Sequence, residues 1–456
     1  MGISPSATLV FEALRLLLFI YSTSAIIVRL PVHRDAIVYT LPCFPVAKEQ
    51  SRRHTSKGTF DTPRLLANDQ AQKVLHGAPN SYSAAAGPLH ECDVVYHLLF
   101  TSNVTLGTPP QPFIARVDIN WADMFVPSAP CMRDPDRDCA PFHKLNSNQS
   151  STYIATTTFS AIDYEGLGTS GHLAQDTLSI GNISITNQTF EAADDWRSMY
   201  GHGWAPLDSG LGLTRFRAPR RHPESGYGNW PLRNMIDQGL LDRNVFSLRL
   251  PRTGNDVGEL ILGGVDDKQP KPIIKLPLTN KTFISEEQTT LSFLASSGWQ
   301  ADISGMSLQC DGQSDHLFDV DLQGVIAVFS NSFDFISFPF DIARAILDTL
   351  GIEDEALPDP PCERLSDLPN LTFAFGEQGE ITLAPRQYTI RVQSPYGGER
   401  CIIPFTSWAH NDVPDEVEGD YVVLGTAFLN HLLTVFDMDG ETISCRFRVW
   451  GLVRRC

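Results

Sequence analysis

From Tyr96 onward, apolar and polar residues alternate in short runs rich in β-branched and aromatic side chains, and glycine, proline and asparagine punctuate the runs. A period of two predicts strands that bury one face. The stretch YHLLFTSNVTLGTPPQPFIARVDI predicts a hairpin turning at Gly107 to Pro110, and SGHLAQDTLSIGNISITNQTF predicts another turning at Gly181-Asn182. Helical periodicity is rare. LRNMIDQGLL, residues 232–241, is one candidate; the stronger is PFDIARAILDTLG, with Pro339 at its start, apolar Ile342, Ala345, Ile346 and Leu350, and Gly351 at a C-terminal cap. The expected class is mostly β with small helices.

Residues 1–90 do not share this pattern. A short apolar run, untidied by Glu12 and Arg15, ends in Thr23-Ser24-Ala25, the small residues of a signal-peptide cleavage site. Residues 26–90 are basic, proline-spotted and weakly periodic, with a dibasic Arg52-Arg53, and read as a pro-segment or linker.

An internal repeat organises the remainder. Asp118 is followed by Pro127 after apolar Met124, Phe125 and Val126; Ser330 follows apolar Ala327, Val328 and Phe329 and has the same spacing to Pro339. Downstream of each lies an apolar unit with glycine, SGLGL at 209–213 and VVLGTAF at 422–428. Two lobes of like topology are expected, each lending one loop to a shared cleft, with 91–265 as the first and 266–456 as the second.

At these residues the chain resembles the pepsin-like aspartic peptidases. The motifs that carry the likeness are NVTLGTPPQPF, VDINWADMFVPS, IDYEGLGTSGHLAQDTLSIG, FSLRLPRTGNDVGELILGGVD, the loop at 327–339 and VVLGTAFLNHLLTVFD. The resemblance implies a bilobal β fold, a flap with Tyr164 at its tip, and disulfides Cys131–Cys139 and Cys362–Cys401. It also implies peptide hydrolysis by two carboxylates that share a proton across the cleft. Each would sit in an Asp-Thr-Gly loop whose threonine hydroxyl ties the lobes together.

The chain departs from that pattern in both loops. The first reads Asp118-Ile119-Asn120-Trp121, which keeps the acid and loses the hydroxyl; the second reads Ser330-Asn331-Ser332-Phe333, which lacks the acid. Asp334 lies four residues too late, and slipping the register to use it would turn the apolar residues outward. Members of a coupled acid–base unit act as one device, so losing one costs several orders of magnitude in rate.

Three readings follow. In the first, the chain is a secreted relative that does not cut and whose cleft, floored by Trp121, Phe333 and Phe335, binds a peptide or small apolar ligand. In the second, a lone Asp118 is general acid or base on a small molecule, in an isomerisation, dehydration or cyclisation. The third is a weak peptidase in which Ser330 positions the water.

Composition narrows the setting. The formal net charge of −18 disfavours nucleic acid as a partner, and the basic stretch RFRAPRRHP at 215–223 is read as a solvated loop. Sequons at Asn103, Asn148, Asn182, Asn187, Asn280 and Asn370, with nine cysteines, point to the secretory pathway. The pairing of Cys92, Cys310, Cys445 and Cys456 stays open. No HExxH or CxxC spacing suggests a metal, no cofactor loop is evident, and no GxSxG supports Ser330 as a hydrolase nucleophile. The glycine-rich SMYGHGW is expected as a loop over the cleft. No hydrophobic C-terminal tail suggests a lipid anchor, and a monomer is expected.

Overall fold

Alternating burial along the first strand sets the centre of the molecule. In the computed structural model the described residues are 27–40, 94–132, 139, 142–164, 167–198, 207–217, 224–253, 255–265, 274–279, 294–310, 316–352, 362–393, 399–408 and 421–447. Strand β1 (Val28–Thr40) turns Val28, Leu30 and Val32 inward and leaves Arg29 and Pro31 outside. Burying three such aliphatic side chains contributes about 5–8 kcal/mol of transfer free energy.

The first lobe continues with β2 (Val94–Leu106), β3 (Gln111–Asp118), β4 (Phe125–Pro127), β5 (Ile154–Tyr164), β6 (Leu167–Ile180), β7 (Ile183–Ser198), β8 (Ser209–Gly212), α1 (Pro231–Asp237), β9 (Val245–Arg249) and β10 (Gly258–Leu262). Both expected hairpins form, β2–β3 around residues 107–110 and β6–β7 around Gly181-Asn182. Helix α1 is shorter than its apolar pattern, because Gly239 takes a φ of +62° and turns the chain.

The second half supplies β11 (Ile274–Pro277), β12 (Gln300–Asp302), β13 (Gly305–Gln309), β14 (Phe318–Asp321), β15 (Ile326–Phe329), β16 (Ile336–Pro339), α2 (Phe340–Thr349), β17 (Asn370–Ala374), β18 (Glu380–Leu383), α3 (Pro385–Tyr388), β19 (Ile390–Gln393), β20 (Glu399–Ile402), β21 (Phe405–Trp408), β22 (Tyr421–Leu424), α4 (Thr426–Leu429), β23 (Leu432–Asp437) and β24 (Thr442–Phe447). Helix α2 follows Pro339 and buries Ala343 and Ile346, as its pattern requires.

One large sheet runs β11-β24-β23-β9-β10-β1-β2-β6-β7-β4, so the last strands of the chain lie beside the first lobe's strands. A second sheet, β12-β15-β22-β16-β21, carries the second loop. The molecule is a mostly β, bilobal, pepsin-like fold.

The repeat in the sequence is a repeat in topology. β3 pairs in parallel with β8, placing Asp118 opposite Gly212, and β15 pairs in parallel with β22, placing Phe329 opposite Leu424, just before Gly425. Each loop returns across the glycine of its partner segment. A Cβ on Gly212 would lie 2.5 Å from the Trp121 carbonyl oxygen, and one on Gly425 would lie 2.1 Å from that of Phe335, so neither position admits a side chain.

Candidate functional site

The two loops leave their parallel strands side by side, and the polar groups on them are almost all sealed from water. Asp118 and Ser330 are both 0% exposed. Buried polar groups cost free energy unless hydrogen-bonded, so their partners decide what they can do.

Both carboxylate oxygens of Asp118 are engaged. The backbone N–H of Asn120 donates to Oδ1 at 2.8 Å, and the Tyr164 hydroxyl donates to Oδ2 at 2.7 Å. Tyr164 ends β5 and pairs with Leu167 on β6, and residues 165–166 between them are outside the described residues. The tyrosine is fully buried and does not stand in an open cleft. Its ring lies 4.4 Å from that of Trp121 and 5.6 Å from that of Phe125, within an apolar cluster that also holds Ile162, Leu167 and Trp196. Trp121 therefore fills the space between loop and flap.

A further side chain, Arg116, carries no signal in the sequence beyond its place two residues before Asp118, on the same face of β3. It is fully buried, its guanidinium lies 5.3 Å from the Tyr164 ring centroid, and Nη2 donates to the Ser332 carbonyl at 3.3 Å. A cation over an aromatic face is attracted by the ring quadrupole, more so when desolvated. Arg116 thus joins β3, the Tyr164 hairpin and the second loop.

Ser330 is occupied differently. Its Oγ accepts the N–H of Ser332 at 3.2 Å and of Phe333 at 3.1 Å, and lies 3.3 Å from Ser332 Oγ. The hydroxyl serves as an internal cap for its own loop. Phe333 packs with Leu294, Ala295, Ile326, Val328, Tyr421 and Val423, apart from the Trp121–Tyr164 cluster, and meets Phe335 edge-on at 6.0 Å.

Between the lobes, two asparagine amides make the ties. Asn331 donates from Nδ2 to the Val117 carbonyl at 2.7 Å and accepts the Ile119 N–H on Oδ1 at 2.9 Å. Asn120 donates from Nδ2 to the Phe329 carbonyl and to Ser297 Oγ, both at 3.0 Å, and Oδ1 accepts the Ser332 hydroxyl at 3.2 Å. Each amide reaches the carbonyl preceding the other loop's key residue, Val117 before Asp118 and Phe329 before Ser330. An amide carries donor and acceptor on one rigid plane, so it can do what a hydroxyl does at such a crossing. Asn120 is therefore a tie between the loops as well as a space-filling residue.

Asp334 is buried and committed to structure: Oδ2 accepts the Leu98 N–H at 2.9 Å and Oδ1 accepts the Thr426 hydroxyl at 3.3 Å. The basic stretch differs from its expected solvated character at its first two arginines. Arg215 pairs with Glu441 and stacks on Phe216, while Arg217 pairs with Asp123 beside Trp121 and lies over Tyr227 and Trp230. Carboxylates distant in sequence give these cations partners that local composition does not reveal.

The remaining candidates sit away from the loops. Cys131–Cys139 and Cys362–Cys401 are disulfides, and the Cys445 thiol is buried, which pushes it up to about 12. Cys92, Cys456 and the glycine-rich 199–206 lie outside the described residues. Asn103, Asn148, Asn182 and Asn187 are exposed, Asn370 is half-buried, and Asn280 is outside the described residues. Among the described residues no group of histidine, cysteine and acidic side chains could hold a metal ion, and no helix is long and apolar enough to cross a membrane.

The family model for eukaryotic aspartyl protease matches residues 99–446. Vacuolar protease A of Aspergillus fumigatus is 29% identical over 350 residues, covering 75% of this chain and 77% of that one. Cathepsin D of Canis lupus familiaris is 28% identical over 444 residues, covering 92% and 94%, and cathepsin D of Homo sapiens is 27% identical over 444 residues, covering 91% and 93%.

Proposed function

The chain belongs to the eukaryotic aspartyl protease family, and within it we propose a secreted, glycosylated, monomeric member that binds a peptide or small apolar ligand in its cleft without cutting it. The observation that carries this reading is the commitment of Ser330. Hydrolysis by this kind of fold needs a second group able to exchange a proton with the attacking water. A serine hydroxyl that already accepts two backbone N–H groups is far too weak an acid or base to do so. The opposite carboxylate is equally engaged, one oxygen by Asn120 and the other by Tyr164.

The site keeps an apolar wall of Trp121, Phe125 and Ile162 and a hydrogen-bonding tyrosine on a hairpin. Those are features that hold a peptide or an apolar molecule once the hairpin lifts. A pH-scanned turnover measurement on a diverse peptide library, with mass spectrometry as readout and Asp118→Ala as control, tests the reading. Binding without cleavage is expected; cleavage that disappears in the variant restores a weak peptidase.

One observation favours a second reading. A tyrosine hydroxyl 2.7 Å from a buried carboxylate is a proton-relay pair, and Asp118 with Tyr164 could exchange protons with a small molecule. Turnover of a captured small molecule that is lost in both Tyr164→Phe and Asp118→Asn would move the assignment to that class.

A further inference from the structure

We propose that a surface hollow over strands β3, β2 and β6 seats the first two sugars of an N-linked glycan carried by Asn103. The inference rests on the glycosylated reading above and adds that this glycan packs on the fold. Asn103-Val104-Thr105 is a sequon on β2. Its modification is the transfer of an oligosaccharide from a lipid diphosphate donor: Asn103 Nδ2 loses a proton and bonds to C1 of the first N-acetylglucosamine as the C1–O bond to the diphosphate breaks.

The strand period puts the sequon and the hollow on one face. Val104 and Phe113 point into the core, each 2% exposed, so Asn103 and Thr105 on β2 and Pro112 and Ile114 on β3 point outward. Asn103 stands opposite Ile114, and Thr105 stands between Pro112 on one side and Ser179 of β6 on the other. These residues, with Gly181 at the β6–β7 turn and His143, line a hollow of about 340 Å³. Small-ligand sites begin at about 300 Å³.

The lining suits a sugar ring. Pro112 and Ile114 offer an apolar floor for the C–H face of a pyranose, and Ser179 and His143 supply polar groups for its hydroxyls and acetamide. Asp208, 2% exposed, accepts the Ile114 N–H at 2.7 Å and the His143 N–H at 2.9 Å, and its Oδ2 lies 2.8 Å from His143 Nδ1. The imidazole is thus anchored through one nitrogen while its side chain stays 56% exposed, and the other nitrogen faces away from the carboxylate. One buried carboxylate fixes both the apolar floor and the polar edge.

The tether decides the occupant. A free sugar gains little from so small a contact, whereas a glycan on Asn103 starts at the hollow itself and meets it at an effective concentration in the mM range, so a weak contact is enough. Asn182, next to Gly181, begins a second sequon, but its side chain does not line the hollow.

The test uses the full chain from a secretory host that leaves oligomannose glycans. Glycopeptide mass spectrometry reads the occupancy of Asn103. An endoglycosidase that cuts between the two core N-acetylglucosamines is then timed on the native protein and on the isolated Asn103 glycopeptide. The expected result is an occupied Asn103 cut at least about tenfold more slowly in the native protein, because the tethered core stays seated and hides that bond. Ile114→Ser, which removes apolar floor, is expected to bring the native rate to within about twofold of the glycopeptide's. Should that variant not fold, Pro112→Ser, at an exposed position, is read in the same way. An unoccupied Asn103 overturns the glycosylated reading at this residue and the inference with it. An occupied Asn103 cut as fast in the native protein as in the glycopeptide overturns the inference alone, as does protection that the floor variant leaves unchanged or protection found at Asn182 in place of Asn103.

Discussion

Tyr164 donates its hydroxyl hydrogen to Oδ2 of Asp118 over 2.7 Å, and both side chains are closed to solvent. The β5–β6 hairpin is therefore latched onto Asp118. A ligand that reaches the loops has to break this contact and lift Tyr164 off Trp121 and Arg116.

Replacing Tyr164 by phenylalanine keeps the ring in its cluster and removes only the hydroxyl. The carboxylate loses the hydrogen bond on Oδ2, which costs about 1.5–3 kcal/mol for a bond to a charged group. The expected outcome is lower stability in urea together with tighter binding of a cleft ligand, since the latch no longer competes. Weaker binding in Tyr164→Phe would show that the hydroxyl contacts the ligand directly.

Placing an acid in the second loop by Ser330→Asp is expected to leave peptide turnover undetectable. Asp118 stays engaged with Tyr164 and Asn120, and the neighbouring positions still hold Trp121 and Arg116. A new carboxylate at a fully buried position also destabilises by about 3–5 kcal/mol where no partner is provided. Mass spectrometry of the same peptide library decides it: robust cleavage by the single variant would mean that the second acid was all that the site lacked.

Asn331→Ala strips the Val117 carbonyl and the Ile119 N–H of the partners they have across the interface. Two buried groups left unsatisfied cost about 2–5 kcal/mol together. Asn331→Thr, whose hydroxyl can both donate and accept, is expected to lose less than half of that. Denaturant unfolding of the two variants side by side reads the difference, and equal losses would remove the amide tie as the cause.

His431 sets a pH dependence. Burial first, and then the charges of Arg252 and Arg391, lower it to about 4, with Asp256 opposing. The unfolded chain takes up this proton near 6.5 and the folded one only near 4, so the contribution is complete above pH 6.5 and is lost as pH falls towards 4. The loss amounts to at most about 3 kcal/mol. Unfolding free energies measured between those limits are expected to fall more steeply in the native protein than in His431→Gln; parallel curves would assign the slope to other groups.

Much of the architecture was legible in the chain. Alternation placed the hairpins at 107–110 and 181–182, and the period of α2 with Pro339 and Gly351 placed that helix. The matched spacing from Asp118 to Pro127 and from Ser330 to Pro339, with Gly212 and Gly425 downstream, announced two lobes of like topology, each lending one loop; that each loop leaves a parallel pair of strands came from the structure. Such features are written within a few residues of where they act, by backbone geometry and the pleat of a strand.

By itself, then, the sequence determined a two-lobed β protein with Asp118 in one of two like loops and Ser330 in the other. Only the tertiary structure decided what the loops do with that difference. It turns Tyr164 inward onto a residue 46 positions away, brings Asn331 to Val117 across 214, buries Arg116 beneath the flap, and holds β1 in the middle of a sheet. The physical reason is that these contacts join segments far apart in the chain. Each polar side chain must satisfy its hydrogen bonds with whatever groups the packed lobes bring to it, and local pattern does not record which groups those are.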